Sequence, residues 1–127
     1  MNKGLAQYQQ VNTHAGVEGA NPHRLVQMLM EGALQRMAEA KGAILRQDVG
    51  GKGEALGKAI AIVGGLRDAL NIDQGGQLAQ NLDNLYDYMG RQLLLANQRN
   101  DEALIDEVVL LMRTVKSGWD GIQSAAG

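Results

Sequence analysis

The sequence predicts an all-α protein, an antiparallel up-down-up-down four-helix bundle preceded by an N-terminal cap segment. Apolar residues recur at steps of three and four along most of the 127 residues, which is the spacing of one helix face. Turn-forming residues break this pattern three times, and no stretch shows the sustained alternation of a β-strand. Helices of about 20 residues joined by short connections favour antiparallel packing.

The first two helices are predicted at about residues 22–47 and 52–71 of a single domain, residues 1–127. Asn21-Pro22 has the residue types of an N-cap followed by a first helical position. Helix one then carries an apolar face: Val26, Leu29, Ala33, Met37, Ala40 and Ile44. Residues 48–51 are interpreted as a turn. Helix two carries its own face: Leu56, Ala59, Val63, Leu66 and Leu70.

The other two helices are predicted at about residues 77–98 and 101–123, after a break at residues 71–76. Helix three has leucines and a methionine on one side: Leu78, Leu82, Leu85, Met89 and Leu93. Asn100-Asp101 supplies the next N-terminal signal, because acidic residues suit the positive end of a helix dipole. Helix four has the most regular face: Ile105, Val108, Met112, Val115, Trp119 and Ile122.

Composition and charge exclude several classes of protein. The net charge of −2 and the scattered Lys and Arg residues argue against nucleic acid as a partner. The chain has no Cys, so it has neither disulfides nor thiolate metal sites. No apolar run approaches the roughly 20 residues that cross a bilayer, and the start lacks the features of a signal peptide. We therefore expect no membrane insertion and a cytoplasmic location.

No enzyme signature is present. The two histidines are His14 and His23, and neither follows a Glu at the spacing of a di-iron bundle. His23 lies too close to a helix start for a phosphorelay histidine. Carboxylate pairs such as Asp83 and Asp87 lack the companion groups of an acid-base site. We predict no catalytic activity, no metal and no cofactor.

The apolar surface of helices one and three is wider than a single stripe. Leu25, Met28 and Leu34 widen the first helix, and Tyr86 widens the third. A broad face of this kind either fills the core or leaves a groove that accepts an amphipathic segment. Residue patterns alone leave both interpretations open.

Five segments closely resemble the flagellar export chaperone family FliS over nearly the whole chain. They are "YQQVNT", "NPHRLVQMLMEGAL", "GGQLAQNLDNLYDYM", "LLLANQRND" and "EALIDEVVLLMRTVKSGWD". The resemblance implies a non-enzymatic, cytoplasmic chaperone that binds the disordered C-terminal segment of flagellin. It also implies that the chaperone prevents premature polymerisation and presents flagellin to a component of the flagellar export gate. One departure is Met30, where relatives often have Tyr.

The resemblance also implies an N-terminal lid, residues 1–20, which covers a hydrophobic groove until flagellin binds. The lid residues are Tyr8, Gln10 and Val11. We predict that seven residues of helices one and three form the groove walls: Leu25, Met28, Leu29, Leu82, Tyr86, Met89 and Leu93. In the alternative, these seven are core and the contact face lies on helices two and four. A rival function is a structural helical module that homodimerises through the same apolar surface.

Overall fold

Four helices form the part of the chain that the structure, a computed structural model, describes: residues 21–122, without the side chains of residues 72–74. They are α1 (Pro22–Leu45), α2 (Val49–Asp68), α3 (Ile72–Arg99) and α4 (Glu102–Gly121). Both α1 and α3 pack on α2 and on α4. This closed ring of helices with short connections confirms the predicted all-α four-helix bundle.

The N-terminal lid predicted for residues 1–20 lies outside the described residues. Its three proposed lid residues, Tyr8, Gln10 and Val11, therefore stay a prediction. The described chain begins with Asn21, whose side chain accepts a hydrogen bond from the Arg24 backbone N–H at 2.8 Å. Pro22 follows at the first helical position, so α1 begins with the cap that the sequence indicates.

The connection between α1 and α2 is shorter than predicted. Gln47 adopts a left-handed conformation (φ 58°), and the Asp48 N–H donates to the Ala43 carbonyl at 2.8 Å, which closes the end of α1. Asp48 then caps α2, because its carboxylate accepts from the Gly51 N–H at 2.9 Å. Residues 49–51 are thus the first turn of α2 rather than the predicted turn between helices.

Gly76 divides α3 into a first turn and a long regular segment. Its backbone angles (φ 59°, ψ −139°) lie in a region that essentially only glycine adopts. The regular segment after Gly76 corresponds to the predicted third helix, and the additional turn from Ile72 was not predicted. At the far end, Asn100 is left-handed (φ 54°) and Asp101 caps α4 by accepting from the Ala103 N–H.

Methionine and alanine fill the core of a chain that has no Phe. Four methionines are at most 1% exposed: Met30, Met37, Met89 and Met112. Ala33, Ala40 and Ala59 are fully buried on α1 and α2, and such small side chains allow two helices to approach closely. The flexible thioether side chains fill the irregular space that remains.

A buried lysine joins α2 to α3 at the end of the bundle where α1 and α3 end. Lys52 is the one charged residue that is buried among the side chains that the structure describes. Its Nζ donates to the Asn97 carbonyl and to Asn100 Oδ1, both at 3.1 Å. The ammonium therefore ties α2 to the C-terminal end of α3, where the helix dipole favours a positive charge.

Candidate partner-binding surface

The seven residues predicted to line a partner-binding groove do not share one surface. Five of them are interior side chains with 4% exposure or less: Leu25, Leu29, Tyr86, Met89 and Leu93. Met28 and Leu82 are half-buried. Contact between these seven residues and a partner stays a prediction, as does the alternative of a contact face on helices two and four.

An apolar groove, which we call the end groove, opens where α1 and α3 begin and α2 and α4 end. Its volume is about 320 Å³. Almost all of its lining side chains are apolar, and all four helices contribute: Val26, Met30, Leu66, Ala69, Leu70, Leu78, Leu82, Tyr86, Thr114, Val115, Gly118, Trp119 and Ile122. Of the seven predicted residues, the end groove brings together Leu82 and Tyr86.

Large apolar side chains stand in solvent at the mouth of the end groove. Leu78 is 67% exposed and Ile122 is 54% exposed. On α4, Leu110 is also 67% exposed, and it precedes the lining residues Thr114 and Gly118 by one and two steps of four along the same helix face. Leu110 thus adds an exposed apolar side chain on the α4 face that continues from the groove, and a cluster of exposed apolar side chains beside a groove is typical of an interaction site.

His23 and Trp119 hold one wall of the end groove in place. The Trp119 Nε1–H donates to the His23 carbonyl at 2.9 Å, and His23 Nε2 lies 2.9 Å from the Trp119 carbonyl. A carbonyl oxygen only accepts, so Nε2 must carry the proton. The two rings stack with centroids 4.8 Å apart. These contacts join the first turn of α1 to the last turn of α4.

The seam between α3 and α4 becomes polar away from the end groove. The Tyr88 hydroxyl donates to Glu107 Oε2 at 2.8 Å, and Gln92 Nε2 donates to Glu107 Oε1 at 3.3 Å. The hydrogen bond to Glu107 raises the pKa of Tyr88. This seam is therefore closed by hydrogen bonds in its middle and open and apolar toward one end.

A second groove, which we call the side groove, lies between α2 and α3 and has a volume of about 260 Å³. Its lining combines apolar, small and charged residues: Ile60, Val63, Gly64, Arg67, Tyr86, Asp87, Gly90, Arg91 and Leu94. Tyr86 also lines the end groove. The ring of this one tyrosine therefore borders both grooves.

Ion pairs form the rim of the side groove. Arg67 contacts Asp83 at 2.6 Å and Asp87 at 3.0 Å, and Arg91 contacts Asp87 at 3.0 Å. The hydrogen bond from Arg67 lowers the pKa of Asp83 and the hydrogen bond from Asp83 raises the pKa of Arg67. Both arginines are thus engaged by carboxylates of α3.

Two other kinds of site have no candidate among residues 21–122. No group of three or more His, Cys, Asp or Glu side chains is arranged to hold a metal ion. None of the four helices is both long and apolar enough to span a bilayer. The end groove and the side groove are the two openings described above that include residues predicted to bind a partner, Leu82 and Tyr86.

Sequence reasoning missed several walls of the end groove. Val26 and Trp119 were assigned to core-facing stripes, and Met30 was noted only as a departure from relatives. The signal that could have indicated them is the single Trp at the last turn of helix four, next to small and polar residues. The contact between His23 and Trp119 spans 96 positions in sequence, so no local pattern reveals it.

Comparison with known proteins points to one family. A family model described as "Flagellar protein FliS" matches residues 4–126. A Pseudomonas aeruginosa protein named flagellar secretion chaperone FliSB is 56% identical over 120 residues, which cover 94% of this chain and 95% of the relative. Flagellar secretion chaperones FliS are 43% identical in Salmonella typhimurium (97% of this chain, 92% of the relative) and 42% identical in Vibrio cholerae (96% and 90%).

Proposed function

The chain belongs to the FliS family of flagellar secretion chaperones, and we propose that it binds the C-terminal segment of flagellin. Binding takes place in the cytoplasm and keeps flagellin from polymerising too early. The complex then delivers flagellin to the flagellar type III export apparatus through contact with a component of the export gate. The protein acts by binding alone and performs no catalysis.

The observation that carries the proposal is the end groove. An apolar opening of about 320 Å³ with exposed leucine and isoleucine side chains at its mouth fits the apolar face of an amphipathic helix. A flagellin segment with such a face would otherwise pair with other flagellin chains. The chaperone offers that face a substitute surface, so that self-association loses its driving force.

Leu110, exposed on α4, extends the proposed contact beyond the end groove. A helix that enters beside Leu78 and Ile122 and continues past Leu110 buries three side chains that are each more than half exposed in the free protein. Burying one such side chain contributes about 1.5–3 kcal/mol before the costs of ordering are subtracted. The end groove and Leu110 together supply the binding free energy that offsets the cost of ordering a disordered segment when it folds on binding.

The first twenty residues serve as a displaceable lid over the same groove. In sequence they lead directly into Asn21 and into His23, which stacks on the groove residue Trp119. Tyr8 and Val11 contribute apolar side chains, and Gln10 belongs to the polar surroundings that keep the segment weakly held. Two such side chains gain roughly 3–5 kcal/mol gross, largely offset by the ordering of a flexible segment.

Calorimetric titration with a synthetic flagellin C-terminal peptide tests the proposal. The wild-type protein should bind the peptide, and the double variant Leu78→Ser/Ile122→Ser should bind it at least tenfold more weakly. The matched control is Leu45→Ser, which changes another highly exposed leucine (76%) at the opposite end of the bundle and should leave affinity unchanged. Equal affinity of the double variant and the wild type would show that the groove mouth is not the binding surface.

The rival function, a homodimeric adaptor, is distinguished by mass in solution. Light scattering measures the mass of the protein with and without the peptide. When the peptide is added, any self-associated form should give way to a complex of the protein with the peptide. A stable dimer that does not respond to the peptide would favour the adaptor.

A further inference from the structure

The two tyrosines of the "YDYM" segment, Tyr86 and Tyr88, have opposite surroundings. The Tyr88 hydroxyl donates to Glu107. Tyr86 is only 3% exposed, and its hydroxyl has no hydrogen-bond partner among residues 21–122. A buried hydroxyl ordinarily finds a partner, so Tyr86 is the exception that needs an explanation.

A hydroxyl that finds no partner among the described residues costs free energy. A buried donor without an acceptor loses its hydrogen bonds to water and gains none in return. Burial raises the pKa of Tyr86 to about 12, with desolvation as the cause. A phenylalanine at this position would fill the same space without that cost.

The groups nearest to Tyr86 along the side groove do not supply an acceptor. The Asp87 carboxylate accepts hydrogen bonds from Arg67 and Arg91. Gly64 and Gly90 add no side chain, and a Cβ built on either would meet nothing within 4 Å. The side groove is therefore open at these two glycines, and Tyr86 lines both this groove and the end groove.

We propose that the Tyr86 hydroxyl donates a hydrogen bond to a carbonyl oxygen of the segment that binds in the end groove. This inference rests on the proposed function and adds a polar specificity contact to an otherwise apolar surface. The acceptor is an uncharged amide carbonyl, from the backbone or from an Asn or Gln side chain, because the end groove is too apolar to desolvate a carboxylate cheaply. A segment that presents only apolar groups to Tyr86 leaves the hydroxyl unpaired and is disfavoured.

The test compares Tyr86→Phe with Tyr88→Phe in the full chain. For the Tyr86 variant, titration with the flagellin C-terminal peptide should show roughly three- to tenfold weaker binding, the loss of one hydrogen bond. In the absence of peptide, the same variant should unfold at a higher urea concentration than the wild type. Tyr88→Phe should unfold at a lower urea concentration, because it loses the bond to Glu107, and should bind the peptide as the wild type does.

Each contrary result has its own meaning. If the wild type binds the peptide and Tyr86→Phe binds it equally well, the hydrogen bond to the partner does not exist, while the proposed function stands. If Tyr86→Phe unfolds at lower urea than the wild type, the hydroxyl already has a partner in the free protein, and the inference is overturned. If the wild type does not bind the peptide, the proposed function fails and this inference fails with it.

Discussion

Polar side chains join neighbouring helices at both ends of the bundle, and they do so differently. At the end groove, His23 and Trp119 exchange two hydrogen bonds and stack, which fixes a wall but leaves the interior of the groove open. At the opposite end, Lys52 donates to Asn97 and Asn100 and places a charged group in the lining of the groove there. These different contacts explain why the groove at the His23 end is apolar.

Tyr86 allows a prediction at alkaline pH. Its pKa is raised from 10.0 to about 12, so the folded protein keeps the phenolic proton more tightly than the unfolded chain does. The stability this provides is complete below pH 10.0 and is lost as pH rises toward about 12, a total loss of roughly 2–3 kcal/mol. We expect urea unfolding to show a smaller alkaline loss of stability for Tyr86→Phe than for the wild type. Parallel losses would show that Tyr86 titrates normally.

At the scale of elements, glycines have two different roles in these helices. Gly57 lies exposed within α2 with open space around its Cβ position, so its cost is the general one of glycine in a helix. Gly76 has a positive φ of 59° and permits the change of direction between the first turn of α3 and its long segment. The first glycine can be replaced without strain, and the second cannot.

Alanine substitutions at these two glycines should therefore have opposite effects. We expect Gly57→Ala to raise the free energy of unfolding by about 0.5–1 kcal/mol. Gly76→Ala should lower it by about 1–3 kcal/mol, because an L-residue is strained at that conformation. Urea denaturation of the two variants measures both effects. Unchanged stability of Gly76→Ala would mean that α3 has no such break in solution.

At the scale of the whole molecule, four helices in a ring leave one end incompletely filled. Each helix contacts two neighbours, and the end groove opens where the four helices meet at one end. Buried alanines lie on both α1 and α2, and hydrogen bonds and ion pairs join α4 to α1 and α3 beside its buried apolar residues. A bundle built in this way is stable as a fold and still offers apolar surface to a partner.

Removal of the lid tests how the whole molecule controls that surface. Deletion of residues 1–15 should tighten binding of the flagellin peptide, because the peptide no longer competes with the chain's own apolar residues. Titration calorimetry measures the affinity, and Tyr8→Ser/Val11→Ser in the full chain should reproduce the direction of the change. Unchanged or weaker binding after the deletion would count against a lid.

The sequence alone determined the fold class, the four helices and two of their N-caps, because helical periodicity and the residues Asn21 and Asp101 act locally. Family membership was also readable from the motifs. Tertiary structure decided which side of each apolar face is core. Helices one and three carry more apolar residues than one stripe, and periodicity cannot show that Leu25 and Met89 are enclosed while Leu78 is exposed. The groove walls come from all four helices, and residues as distant as His23 and Trp119 meet only when the ring closes.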